Sequence, residues 1–350
     1  MPGDASVADL PSAVANALAE TSGDEDEALA QSLREHLSER AAVRSFRRLK
    51  PNVYRVELTA PTQTSAYVAK LLPTGLAKTI SRLPGWLAVV GLPGMAPVPH
   101  ALARSRDSDS SWQVYECVPG RRVVHGDEAA VRATVDLVSD LHMRSSSKVD
   151  LLAGQLPSIS VDLAFDSIAE AADALACLDP SVRGIDFRAV GHALDSLRTA
   201  LDGAADRSEA HRGADLPVVL LHGDLWPVNA IVTGDRTKPT VRLVDWDKVA
   251  VGPASFDLST ILGRFAAKPL KRRALLERYQ ANVRRAGWSV PPPRELNLLA
   301  ETWELARLAE TLVWPARMVH DAEEWMRLWA MDELNEVARW VVAQEPLLEL

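Results

Sequence analysis

The chain is short of several things that would otherwise define it. Only two of its 350 residues are cysteine, Cys117 and Cys177, too few for a disulfide framework or a zinc cluster. Both are read as reduced and buried. No apolar run reaches the roughly eighteen residues that a membrane span needs. The most apolar stretch, Trp86 to Pro99, is broken by Gly91, Pro93, Gly94 and Pro97. No Lys or Arg precedes Arg34, and the opening segment carries Asp4 and Asp9 instead. Neither a secretory leader nor a transit peptide is therefore expected, and the chain is placed in the cytoplasm. Positive charge is also scarce: 39 Lys and Arg against 47 Asp and Glu leave a net charge of −8. That balance argues against a dedicated nucleic-acid binder.

What remains is ordinary globular material, 47% hydrophobic and 25% charged, long enough to divide into two lobes. Residues 1–44 read as an Ala- and Leu-rich helical extension. The acids Asp24 to Glu27 would suit a helix N-terminus, or else mark a solvated arm. Strand signals follow at Ser45–Leu49, Val53–Leu58 (VYRVEL) and Ala66–Leu72 (AYVAKLL), with turns at Pro51-Asn52 and residues 60–64. An irregular Gly- and Pro-rich stretch runs to Pro99. A further strand, Trp112–Val118, ends at Pro119-Gly120. Helical periodicity then dominates, as in Val131, Val135, Val138, Leu141 and His142, where the histidine is read as a core residue. It is interrupted by three short apolar runs, VVLL at 218–221, AIV at 230–232 and VRLV at 241–244.

Polar clusters follow two of these runs. His222-Gly223-Asp224-Leu225-Trp226-Pro227-Val228-Asn229 comes directly after VVLL, and Asp245-Trp246-Asp247 directly after VRLV. If those two strands pair, Asp224, Asn229 and Asp245 reach one edge. Phosphoryl transfer needs such a set: a carboxylate to take the proton of an attacking hydroxyl, hard oxygens for Mg²⁺, and a lysine for phosphate oxygens. Asp224 suits the first role, Asn229 and Asp245 the second, and Lys70, within AYVAKLL, the third.

This pattern resembles the catalytic loop and metal motif of the aminoglycoside phosphotransferase family, small-molecule kinases related to choline kinase. Gly252–Leu258 (GPASFDL) resembles the family's segment after the metal-binding acid. The resemblance covers roughly residues 45–265. It implies an α+β, bilobal, protein-kinase-like fold: a small antiparallel β N-lobe over 45–115 and a large, mostly helical C-lobe over 116–350. It implies Asp224 as catalytic base, Asn229 and Asp245 as Mg²⁺ ligands, and Lys70 on the α and β phosphates. His222 would brace the catalytic loop and Asp257 would anchor it from below. Tyr115 would sit behind the adenine, with the C=O of Glu116 and the N–H of Val118 pairing with the base. The implied co-substrate is ATP or GTP. The implied acceptor is a hydroxyl of an antibiotic, amino sugar or metabolite alcohol.

Two features depart from the family pattern. No acid lies between Lys70 and Asp107, so Lys70 would be held by an acid from elsewhere, such as Glu57, or by nucleotide alone. The turn region Ser45–Tyr54 contains no glycine. Together they keep open a second reading, a regulatory nucleotide binder without transfer activity, and a kinase acting on protein side chains is a third. Asp247 reads as a solvated or supporting acid, and Cys117 as a packing residue. Six of the ten tryptophans follow residue 287. They form either a helical core or, with Trp325, Trp329 and acids Glu323, Glu324 and Asp332, an aromatic, acidic pocket for a cationic acceptor.

Overall fold

VYRVEL and AYVAKLL both read as strands, and in the structure, a computed structural model, the two segments are neighbours in one antiparallel sheet. The structure describes residues 10–20, 42–50, 52–60, 63–105, 109–124, 126–214, 216–235, 238–265, 269–321, 324–342 and 348. The chain divides into two units, one from residues 1–123 and 228–248 and one from 124–227 and 249–350. The sequence reading placed its boundaries after residues 44 and 115. The observed division differs because a segment far along the chain belongs with the first unit.

The first unit opens with helix α1 (Leu10–Glu20), then strands β1 (Ala42–Lys50), β2 (Val53–Ala60) and β3 (Gln63–Pro73). Short helices α2 (Thr74–Ile80) and α3 (Leu83–Val89) precede β4 (Pro99–Arg104) and β5 (Ser110–Glu116). The sheet order is β1-β2-β3-β5-β4. Period-two alternation gives it two different faces. Tyr54, Val56, Leu58, Tyr67, Ala69, Trp112 and Val114 point to one side, where Leu10, Val14, Ala17 and Leu18 of α1 cover them. Val53, Val68, Lys70 and Tyr115 point to the other, into a cavity. Helix α1 is thus part of the core of this unit and not an appended extension. The acids Asp24–Glu27 lie outside the described residues. The stretch expected to be irregular up to Pro99 holds α2 and α3. Pro84 falls in the first turn of α3, where its missing N–H has no intrahelical partner to lose.

The chain then forms β6 (Arg121–Arg122) and enters the second unit. Helices α4 (Glu128–Ser146), α5 (Val149–Ala153), α6 (Val161–Ala176), α7 (Phe187–Asp202) and α8 (Ala204–Gly213) lead to β7 (Val218–Leu221). Side chains of Asp127, Ser160 and Asp186 cap α4, α6 and α7, each accepting a backbone N–H three residues on. Back in the first unit, β8 (Ala230–Thr233) pairs with both β6 and β9 (Thr240–Leu243). The second unit resumes with β10 (Ala250–Pro253) and helices α9 (Ser255–Arg264), α10 (Pro269–Val283), α11 (Pro293–Asp321) and α12 (Glu324–Val342). Its core gathers Ile168, Leu197, Trp303, Leu312, Leu334 and Val337.

One expected pairing is corrected. VVLL does not pair with VRLV; β7 pairs antiparallel with β10, a strand the sequence reading did not find, while VRLV pairs with β8. A four-residue apolar run shows that a strand is buried, not which partner it takes. Cys177 is also exposed, and Cys117 half-buried, where both were expected to be buried. Among the described residues no helix is long and apolar enough to cross a membrane.

If α1 is a core element, Leu18→Ala should lower the unfolding free energy of the first unit by about 3 kcal/mol. Urea unfolding followed by tryptophan fluorescence measures this, Trp112 being the reporter on the covered face. An unchanged midpoint would show that α1 is dispensable.

Candidate active site

The open face of the sheet forms one wall of a cavity of about 630 Å³. Register sets this wall. Val68 stands opposite Tyr115, and Lys70 lies between Val53 and Gln113. A second side is the segment Glu116–Gly120, and a third is made by Asn229, Val244, Asp245, Trp246 and Asp247. Lys70, Tyr115, Glu116, Val118, Asn229 and Asp245 therefore all line a single cavity, within the first unit.

Lys70 forms ion pairs with both Asp245 and Asp247. Burial alone would depress the lysine pKa. The two carboxylates outweigh it and hold the pKa above its ordinary value, so the ammonium stays charged. This settles the partner of Lys70. Glu57, the suggested acid, pairs instead with Arg55 at 2.5 Å. Asp247, read as a solvated or supporting acid, is half-buried against Lys70. Asp245 adopts φ 66°, a left-handed conformation uncommon outside glycine and more readily taken by Asp and Asn than by other residues. Asn229 is buried, and its C=O accepts the Val244 N–H at 2.8 Å, which ties the start of β8 to the end of β9. Asn229 and Asp245 thus offer hard oxygen donors in one cavity. Mg²⁺ commonly takes one or two such protein ligands and completes its shell with phosphate oxygens and water. The donor set fits that ion.

The Glu116 segment is tied down by its side chain. The Glu116 carboxylate accepts the Val98 N–H at 3.1 Å and pairs with Arg242 of β9. The Glu116 N–H donates to Val98 O at 3.0 Å, and the Cys117 N–H to Ala66 O at 3.0 Å. At Gly120, φ is 144° and an added Cβ would stand 2.2 Å from Val232 O, so only glycine permits the approach to β8. Burial, then the charges of Asp247 and Asp245, push the Tyr115 pKa up, so its hydroxyl keeps its proton.

The remaining predicted residues lie in the second unit. The loop after β7 turns at Gly223, φ 83°. Fully buried Asp257, in the first turn of α9, accepts the N–H groups of His222 at 2.8 Å and Gly223 at 3.1 Å. The His222 ring accepts the Asp224 N–H at 3.3 Å through Nδ1. Asp257 and His222 thus fix the backbone on which Asp224 stands. His142, a core residue as expected, places Nε2 3.6 Å from the Asp257 carboxylate and Nδ1 2.9 Å from the Tyr279 hydroxyl. Burial, followed by the Asp257 charge, keeps the Tyr279 phenol protonated, while the His142 ring faces the Asp257 carboxylate. At 3.6 Å that contact is electrostatic and not a hydrogen bond. Burial would raise the Asp257 pKa, but the contacts with His142 and His222, including the His222 N–H, hold it below the usual carboxylate range.

Sequence reasoning missed Tyr279 and two arginines. Arg307 of α11 is buried over the Phe256 ring at 4.2 Å and donates to Ser259 Oγ at 2.9 Å. Burial lowers its pKa to about 10 against the opposing charges of Asp257, Asp224 and Glu310, so it remains a cation at neutral pH. Arg264 lies 4.5 Å over Trp226 and pairs with Glu304. No motif marks these arginines; only their place in the packing does. The tryptophans divide. Trp303 is core, while Trp314 and Trp329 are exposed and meet edge to face at 5.0 Å. The side chains of Glu323, Glu324 and Trp325 lie outside the described residues.

A model of the phosphotransferase enzyme family matches residues 43–296. No curated protein sequence matches the chain. Among solved structures, an ethanolamine kinase of Plasmodium vivax superposes with a TM-score of 0.58 at 9% identity, over 96% of this chain and 95% of that one. A spectinomycin phosphotransferase holding ADP and spectinomycin gives 0.55 at 14%, over 92% and 99%. A choline kinase of Cryptosporidium parvum gives 0.55 at 12%, over 87% and 90%. At these identities the likeness is one of fold, and it agrees with the α+β, kinase-like class read from the sequence.

The depressed Asp257 pKa has a definite sign. Its contribution to stability is present above the unfolded carboxylate pKa and is lost as pH falls through the folded one. Asp257→Asn should therefore cost about 2–3 kcal/mol at pH 7 and progressively less towards pH 3. Denaturant titrations at both pH values measure the difference. A deficit that does not shrink in acid would show that the charge is not what holds the loop.

Proposed function

Because the chain belongs to the phosphotransferase enzyme family, we propose that it transfers the γ-phosphoryl group of ATP or GTP to a hydroxyl of a small molecule in the cytoplasm. The acceptor class is an antibiotic, in which case the enzyme confers resistance, or an amino sugar or metabolite alcohol. The observation that carries this reading is the first unit's cavity, where Lys70, Asn229 and Asp245 meet across from Glu116–Val118.

In this reading the nucleotide base pairs with the C=O of Glu116 and the N–H of Val118, beside Tyr115, and Lys70 contacts phosphate oxygens. Asn229 and Asp245 would hold Mg²⁺, which when bound neutralises charge on the triphosphate. Asp224 accepts the proton of the acceptor hydroxyl as its oxygen attacks the γ-phosphorus. The bond from phosphorus to the β–γ bridging oxygen breaks, and the nucleoside diphosphate leaves. His222 and Asp257 set the backbone from which Asp224 works. The silent, regulatory reading drew on the missing acid after Lys70; two acids beside Lys70 count against that ground.

The test is a transfer screen over antibiotics, amino sugars and amino alcohols, beginning with spectinomycin, choline and ethanolamine, with product mass as readout. Asp224→Asn should lower kcat about a thousandfold and leave the KM for nucleotide within about twofold, because a positioned base acts in the transition state and not in nucleotide binding. Full activity in that variant would end this assignment. Nucleotide binding without transfer to any acceptor would favour the regulatory reading.

A further inference from the structure

Arg242 of β9 does not line the cavity, yet it is bonded to a segment that does. Its Nη2 donates to the Ala96 C=O and pairs with the Glu116 carboxylate. The same carboxylate oxygen accepts the Val98 N–H at 3.1 Å. Two backbone bonds run alongside. The Glu116 N–H donates to Val98 O at 3.0 Å, and the N–H of Leu243, next to Arg242, donates to Met95 O at 2.8 Å. One guanidinium therefore joins residues 95–98, the end of β5 and β9. The Cys117 N–H is held separately, on Ala66 O.

The other arginines here are placed differently. Arg47 and Arg55 stand opposite one another across the β1–β2 pair, and both line the cavity, as does Arg122 of β6. Arg55 pairs with Glu57. Arg122 and Arg242 flank Ile231 in one cross-strand row, and of these two it is Arg242 that pairs with Glu116. A carboxylate left free at Glu116 could accept N–H groups from a bound base. With Arg242 and Val98 on it, the edge that segment 116–118 offers is main chain, the C=O of Glu116 and the N–H of Val118.

We propose that Arg242 is a positioning residue for base recognition: by holding the Glu116 carboxylate it fixes the main-chain edge that reads the nucleotide base, and so sets how sharply the site tells adenine from guanine. The inference rests on the reading of this cavity as a nucleoside triphosphate site. Adenine carries an amino donor where guanine carries a carbonyl acceptor. An edge of fixed donors and acceptors rejects the wrong base because a polar group is left unpaired. An edge free to shift can pair with either.

Calorimetric titration of the full chain with ATP, GTP and inorganic tripolyphosphate, each with magnesium, tests this. Arg242→Met should weaken the preferred nucleotide about tenfold, as expected for one charge-assisted contact, and leave tripolyphosphate within about twofold. The ATP-to-GTP affinity ratio should move towards one, whichever base the wild type prefers. Arg242→Lys keeps the charge but loses the planar fork, and should fall between wild type and Arg242→Met. Glu116→Gln breaks the ion pair from its other side and should act in the same direction. Combined with Arg242→Met it should add little, because both remove one contact. Thermal melts verify folding, and the Lys and Gln variants carry the test if Arg242→Met does not fold. A purely structural role predicts otherwise: β9 leads directly to Asp245, so a displaced strand would weaken tripolyphosphate as much as nucleotide. That equal weakening, an unaltered nucleotide affinity or an unaltered ATP-to-GTP ratio would overturn the assignment while leaving the transferase reading intact. A wild-type chain that binds neither ATP nor GTP would overturn both.

Discussion

One ammonium group shared by two carboxylates organises the first unit. Lys70 meets Asp245 and Asp247 across sequence separations of 175 and 177 residues. Two acids two residues apart, both partly buried, repel unless a cation lies between them. Lys70 supplies it from the open face of β3. With the β6–β8 pairing and the Arg242–Glu116 ion pair, the same contact ties residues 228–248 to the first unit and not to the helices that flank them in sequence. It also bears on the left-handed backbone at Asp245. An unfavourable conformation persists where its surroundings over-determine it, and here the side chain is held by Lys70 while the adjoining strand is held through Val244 and Asn229. Neutralising Lys70 would leave two uncompensated carboxylates in a half-buried turn, so the residue that suits phosphate binding is also a structural requirement.

The second unit solves a related problem with the opposite means. Its key carboxylate, Asp257, is wholly buried and presents nothing to solvent. It takes two backbone N–H groups from the turn preceding Asp224 and is faced by His142, whose ring also meets the Tyr279 hydroxyl. A buried carboxylate without such partners would protonate; with them it stays ionised, and its charge is converted into loop position. The two units therefore use acids differently. Asp245 and Asp247 line a cavity and keep their charge at its surface. Asp257 directs its charge to the main chain, holding the turn that precedes Asp224.

The sequence was informative where chemistry sits in contiguous motifs. HGDLWPVN and DWD could be read because polar residues directly after apolar runs have few structural explanations, and the strands VYRVEL and AYVAKLL because β-branched and aromatic side chains favour extended backbone wherever they sit. What escaped were partnerships. Nothing in VVLL says that it pairs with Ala250–Pro253 and not with VRLV, since both are short and apolar. Nothing in α1 says that Leu10, Val14 and Leu18 cover a sheet, because an amphipathic stripe names a buried face and not its cover. The partner of Lys70 was sought in the following helix and on the same sheet, and was found in the motif already assigned to metal. The adjacent acid at 247 was the available signal. Arg307 and Arg264 carried none, since a cation on a helix reads as solvated until its packing is known.

Net charge conceals the most unusual segment. In a chain of −8, residues 44–55 hold Arg44, Arg47, Arg48, Lys50 and Arg55 and no acid. Solubility does not require such a strip, and sheet stability disfavours the opposed pair within it. A glycine-rich loop costs backbone entropy when it is ordered around an anion. Arginines on a formed hairpin leave the backbone already ordered and cost side-chain rotamer freedom instead.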